Sequence, residues 1–164
     1  MNRTSSWAVA GLAFAVLAVA WTSCQTTSNA MATKDVMVGL ERTACHGRCP
    51  VYALSVSKTG EAALTVGNHC EEVFGRSLEL GNHRATVDVE TWRTVVDMAM
   101  DMGFDTLKST YDDPRIMDVP SNILTVEGKT VFNRIGGPRL NLIYMRIEEL
   151  VGATDWKPDP AVAR

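Results

Sequence analysis

The chain has 164 residues, of which 46% are hydrophobic and 21% charged, the balance of one globular domain with a single core. Its net charge of −3 is spread without a concentrated basic stripe, which repels phosphate backbones and argues against nucleic acid as a partner. The first residues stand apart from that core. One positive charge, Arg3, precedes an unbroken apolar run over residues 8–21, 14 residues against the roughly 20 that a membrane-spanning helix needs. This is the pattern of a signal peptide over residues 1–23. Trp21-Thr22-Ser23-Cys24 is similar to a bacterial lipobox, with Trp21 where leucine is usual, and predicts lipidation of Cys24. Cleavage after Ala20 or Ala30 is the alternative and gives a soluble periplasmic protein. Residues 24–35 are small and polar, a tether between a membrane anchor and the domain.

The domain is expected over residues 36–152. Val36, Val38 and Leu40 alternate with Met37, Gly39 and Glu41, which predicts a half-buried strand over 36–42. A second strand over 51–57 places Tyr52, Leu54 and Val56 on one face, and a third over 61–66 follows the Lys58-Thr59-Gly60 turn. Residues 67–81 are less regular, with room for an added short strand near 72–74, and the fourth strand is expected over 84–89. The period then changes to helical: Trp92, Val95, Val96, Ala99 and Met102 share a stripe, with Asp88 as N-cap and Gly103 as the stop. A loop is expected over 105–120, then a hairpin turning at Glu127-Gly128-Lys129. The last helix is expected to open at Pro138, to bury Leu140, Ile143, Tyr144, Ile147, Leu150 and Val151, and to end at Gly152. Residues 153–164, with two prolines, are expected to fray. The order ββββαββα predicts an α+β fold, an antiparallel sheet of about six strands with both helices on one face.

The densest chemistry lies in Cys45-His46-Gly47-Arg48-Cys49-Pro50. In an extended chain, Cα atoms four residues apart stand about 13 Å apart, whereas a disulfide allows roughly 4.4–6.8 Å. A Cys45–Cys49 bond therefore needs a turn, for which Gly47 offers tolerance of positive φ and Pro50 marks the point where pairing resumes. An exported chain meets oxidising conditions, which favours the bond. The alternatives are a metal site built from Cys45, His46 and Cys49, completed by Cys70, His69 or His83, and a redox-active dithiol. Cys70 is left over, and a lone cysteine in such a region is expected to be a small buried apolar residue.

Glu41-Arg42-Thr43-Ala44-Cys45-His46-Gly47-Arg48-Cys49-Pro50-Val51-Tyr52, the Trp92 helix, Asp118-Val119-Pro120-Ser121 and the Gly136-Gly137-Pro138 helix start together resemble a family of small bacterial domains of unknown function, often carried by lipoproteins. The resemblance implies that Glu41, Arg42, Cys45, Gly47, Cys49, Pro50, Tyr52, Asp118 and Pro120 belong to a family pattern. It places His46 at a variable position of that pattern. It implies a fold and no reaction.

Asp105, Asp112, Asp113 and Asp118 crowd one loop, but in no calcium-loop spacing. Arg134 and Arg139 flank a glycine-rich helix start that either holds an anion or simply connects strand to helix. No nucleophile elbow, zinc-protease, phosphate-loop or dinucleotide motif occurs. The sequence therefore leans away from an enzyme and implies no cofactor. It predicts a membrane-anchored binding or interaction module of the cell envelope, facing the periplasm, whose partner is an envelope protein or ligand. A metal-binding or thiol-redox protein is the alternative.

Overall fold

A computed structural model describes residues 35–159. The expected signal peptide, Cys24, residues 25–34 of the expected tether and residues 160–164 lie outside the described residues. Among those described, β1 (Val36–Arg42), β2 (Tyr52–Ser57), β3 (Glu61–Val66), β4 (Gly81–Thr86), β5 (Thr110–Tyr111), β6 (Asn122–Val126), β7 (Lys129–Asn133) and β8 (Lys157–Pro158) form one sheet in the order β5-β7-β6-β1-β2-β3-β4-β8. Every pairing is antiparallel except β5 with β7. The helices are α1 (Glu71–Phe74), α2 (Val89–Asp101) and α3 (Asn141–Ala153).

Cross-strand register explains the core. Val131, Leu124, Leu40, Leu54, Leu64 and His83 form one continuous row across six strands, and all are buried. Each large apolar side chain in such a row contributes roughly 1.5–3 kcal/mol by leaving water. Trp92, Val95, Val96 and Ala99 of α2 and Ile143, Tyr144, Ile147, Leu150 and Val151 of α3 join the same apolar cluster. Alternation sends Glu41, Ala53, Thr65 and Arg84 to the other face, where they are exposed. Among the described residues no helix is long and apolar enough to cross a membrane.

Several expectations need correction. The sheet has eight strands, because β5, inside the expected loop, and β8, inside the expected tail, are two-residue strands held by their neighbours. The segment read as a short strand near 72–74 is the single helical turn α1, which buries Phe74. β4 lies three residues earlier than expected, so that Asp88 is free to cap α2 by accepting from the Thr91 amide at 2.9 Å. Met102 leaves the stripe as the exposed α2 C-cap, although Gly103 does take the expected left-handed conformation, φ 71°. The strict alternation in β1 fails at its start. The register slips between Val36 and Val38, and Met37 is fully buried beside Val38.

The C-terminal region differs most. α3 begins at Asn141, three residues after Pro138, and runs through Gly152 to Ala153. Gly152 is therefore a contact point and not a stop: a Cβ there would land on the Phe74 carbonyl oxygen, so the missing side chain lets α1 seat on α3. Residues 153–159 do not fray. Trp156 is buried, its indole N–H donates to the Val151 carbonyl at 2.9 Å, and β8 then pairs with β4.

Candidate functional site

Arg42 closes β1 and Tyr52 opens β2, and the two are register partners, so residues 43–51 form the loop that caps one end of the sheet. Cys45 and Cys49 are disulfide-bonded across it, with Cα atoms 5.8 Å apart. The Gly47 amide donates to the Cys45 carbonyl at 2.9 Å, making the turn that the bond requires. Gly47 does this without positive φ, contrary to the reading of its role, and a Cβ there would meet only the Cys45 sulfur, at 3.8 Å. The left-handed residue is across the loop, at Asp118, φ 62°. The two segments that carry the resemblance meet here. Thr43 donates to the Ser121 carbonyl at 3.1 Å, the Ser121 amide donates to the Thr43 hydroxyl at 2.8 Å, and His46 donates to the Asp118 carbonyl at 3.4 Å.

The loop is tied on its other side as well. Val51 donates to Asn68 and accepts from Gly67, at 2.9 and 2.8 Å. The Cys70 thiol, buried and unbridged, points at the Val51 carbonyl 3.1 Å away. Burial pushes this thiol above its ordinary value, which keeps it protonated and poorly nucleophilic.

Beneath the loop, Arg42 and Tyr52 converge on one residue that sequence reasoning missed. The Tyr52 hydroxyl donates to Glu148 Oε1 at 2.8 Å, and Arg42 Nε stands 3.2 Å from the same oxygen. That nitrogen is off the line a hydrogen bond requires, so Arg42 supplies charge and not a directed bond. The Arg42 guanidinium also lies over the Tyr144 ring, 5.5 Å from its centroid, and the Tyr144 hydroxyl receives a hydrogen bond from Asn133. Burial raises Glu148 above its ordinary 4.5, with Arg42 and the Tyr52 hydroxyl pulling the other way. Burial, reinforced by the neighbouring Glu148 charge, pushes Tyr52 far above the usual tyrosine range. A signal for Glu148 did exist: it lies four residues after Tyr144 and one after Ile147, a charged residue set inside an apolar stripe.

The remaining candidates do not converge. His46 is exposed on the loop and His69 is exposed with φ 60°, while His83 is buried with Nε2 2.8 Å from the Glu79 carbonyl. Among the described residues no group of three or more His, Cys, Asp or Glu side chains is placed to hold a metal ion. Two of the four loop carboxylates are paired locally, Asp112 with Arg134 at 2.5 Å and Asp113 with Arg115 at 2.7 Å. Arg134 is thus engaged, and the Pro138 carbonyl accepts from Asn133 at 3.0 Å.

The family model of DUF6438, a domain of unknown function, matches residues 36–151, most of the chain and nearly all of the described fold. The chain belongs to the DUF6438 family. No curated protein and no solved structure matches the chain. In this DUF6438 domain the residues that carried the resemblance do not all serve one construction. Arg42, Cys45, Cys49 and Tyr52 build the capped end of the sheet, with Asp118 supplying a carbonyl to the loop. Glu41 takes no part in that construction and faces the opposite side, exposed.

Proposed function

We propose that this DUF6438 domain is a non-catalytic binding or interaction module of the bacterial cell envelope. Residues 1–23 export it, an acyl group on Cys24 anchors it, and the tether to residue 35 holds it off the membrane on the periplasmic side. The observation that carries this reading is the commitment of the motif's reactive groups to architecture. The Cys45 and Cys49 sulfurs are bonded to each other, the Cys70 thiol is buried, and Glu148 takes a hydrogen bond from Tyr52 and the charge of Arg42. Among the described residues α2 and α3 pack on the face opposite Glu41, which leaves the Glu41 face as the surface a module of this kind has to offer.

The metal-binding alternative draws no support from this arrangement, since it needs the same sulfurs free, whereas the thiol-redox alternative needs them to cycle between this bond and two thiols. The test is the intact mass of the full chain extracted from bacterial membranes. The proposal expects removal of residues 1–23 and acyl chains on Cys24. Unmodified protein in the soluble fraction, cut after Ala20 or Ala30, would overturn the anchor and leave a soluble periplasmic module.

A further inference from the structure

The Glu41 face, which no described helix covers, carries a shallow trough of about 200 Å³ where β6, β1 and β2 run side by side. Gly39 is its floor. A Cβ there would stand 3.3–3.4 Å from the Leu54 carbonyl, Thr125 and Val36, so any side chain would fill the depression. Ser55, Thr125 and Thr130 line it with hydroxyls, and Glu41 stands at one end. Glu41 forms no ion pair with any described residue, whereas Arg84 on the same face is paired with Asp159. Register places Ile123 directly beside Glu41, and Phe132 beside Ile123. Both are half-buried and stand outside the apolar core, on the open side.

From this geometry we infer that the trough is a docking site for a protein partner that inserts one basic side chain, ion-pairing with Glu41 and laying its methylenes on Ile123 and Phe132. Three features select that occupant. The volume is below the roughly 300–1,000 Å³ of sites that bind small molecules by themselves, yet it suffices for one side chain brought in by a larger surface. The free carboxylate and the net charge of −3 favour a cation. Apolar Ile123 beside the carboxylate, with Phe132 one strand further out, suits a long cationic side chain, whose stem is apolar and whose head is charged. Glycine, serine and threonine around the trough keep the surface low enough for close approach. The inference rests on the reading of the domain as an envelope interaction module and adds where and how it binds.

A photo-crosslinking amino acid placed at Ser55 or Thr130 in the full chain, in living bacteria of its native host, tests it, with a third probe at Leu142 on the exposed side of α3 as a control. The expected result is an adduct from Ser55 and Thr130 with a separate protein, mapped to a segment containing lysine or arginine. Its yield should fall about tenfold with Glu41→Lys, while the melting temperature of that variant stays within about a degree of the parent, since the residue is exposed. An adduct with the chain's own tether, with a second copy, or insensitive to Glu41→Lys would overturn the inference. Adducts from Leu142 alone would also overturn it yet leave the interaction module standing. Adducts from none of the three positions would sink both.

Discussion

Replacing Arg42 with methionine isolates the buried charge beneath the disulfide loop. The Glu148 side chain is 6% exposed and that of Arg42 21%, so the variant strands a carboxylate with only the Tyr52 hydroxyl for company. Breaking a buried pair in this way costs roughly 3–5 kcal/mol. Arg42 is partly wet and gives Glu148 no directed bond, which places the loss near the lower end, about 3 kcal/mol, or about 10 °C in Tm for a domain of this size. The pH dependence follows from the direction of the Glu148 shift. Its folded-state pKa lies above the ordinary 4.5, so the folded chain holds the proton more tightly than the unfolded one, and stability falls as pH rises through the window above 4.5. Without Arg42 that pKa climbs further and the window widens. Urea unfolding at about pH 7.5 and about pH 5, followed by the fluorescence of Trp92 and Trp156, should show a large defect at the higher pH that shrinks at the lower. Pairing Arg42→Met with Glu148→Leu should recover most of the loss. A defect below about 1 kcal/mol, or one equal at both pH values, would refute the assignment of Glu148 as a buried carboxylate held by Arg42.

Four further outcomes follow from packing and from the disulfide. Gly152→Ala drives a methyl into the Phe74 carbonyl and should cost about 1–3 kcal/mol by urea unfolding, whereas Gly47→Ala, with open space around it, should stay within about 0.5 kcal/mol. Trp156→Ala removes a buried indole and its hydrogen bond to Val151, and should cost about 3–5 kcal/mol; a neutral result would mean that residues 153–159 contribute nothing to the fold. Cys45→Ser with Cys49→Ser should lower stability by no more than about 2 kcal/mol, because a loop this short restricts the unfolded chain little. Circular dichroism of that double variant should still report a folded domain.

Elements with many local repeats of a period were legible in the sequence. β1 to β3, β6, β7 and α2 announced themselves because alternation or a helical stripe persists over five or more residues. β5 and β8 were not legible, since two residues carry no period and owe their conformation to β7 and β4. α1 is a single turn whose reason to be helical is the seat that Gly152 provides on α3, some 78 residues downstream by the numbering of Phe74 and Gly152. The site divides in the same way. Cys45, Cys49, Arg42 and Tyr52 stand within one short motif, but the residue that explains why arginine and tyrosine flank the loop is Glu148, 96 positions from Tyr52. A local reading sees a charged residue on a helix and assigns it to water. Only the crossing of α3 beneath the ends of β1 and β2 turns it into the centre of a buried network.

The most direct measurement is alkylation of the freshly isolated full chain without reductant, read as intact mass and then as mapped peptides. The account predicts that Cys45 and Cys49 take no label and remain linked, that Cys70 is labelled only after unfolding, and that Cys24 carries acyl chains. Labels on both Cys45 and Cys49 in the native protein would contradict it, since the capped end of the sheet would then hold a working thiol pair instead of a fixed brace.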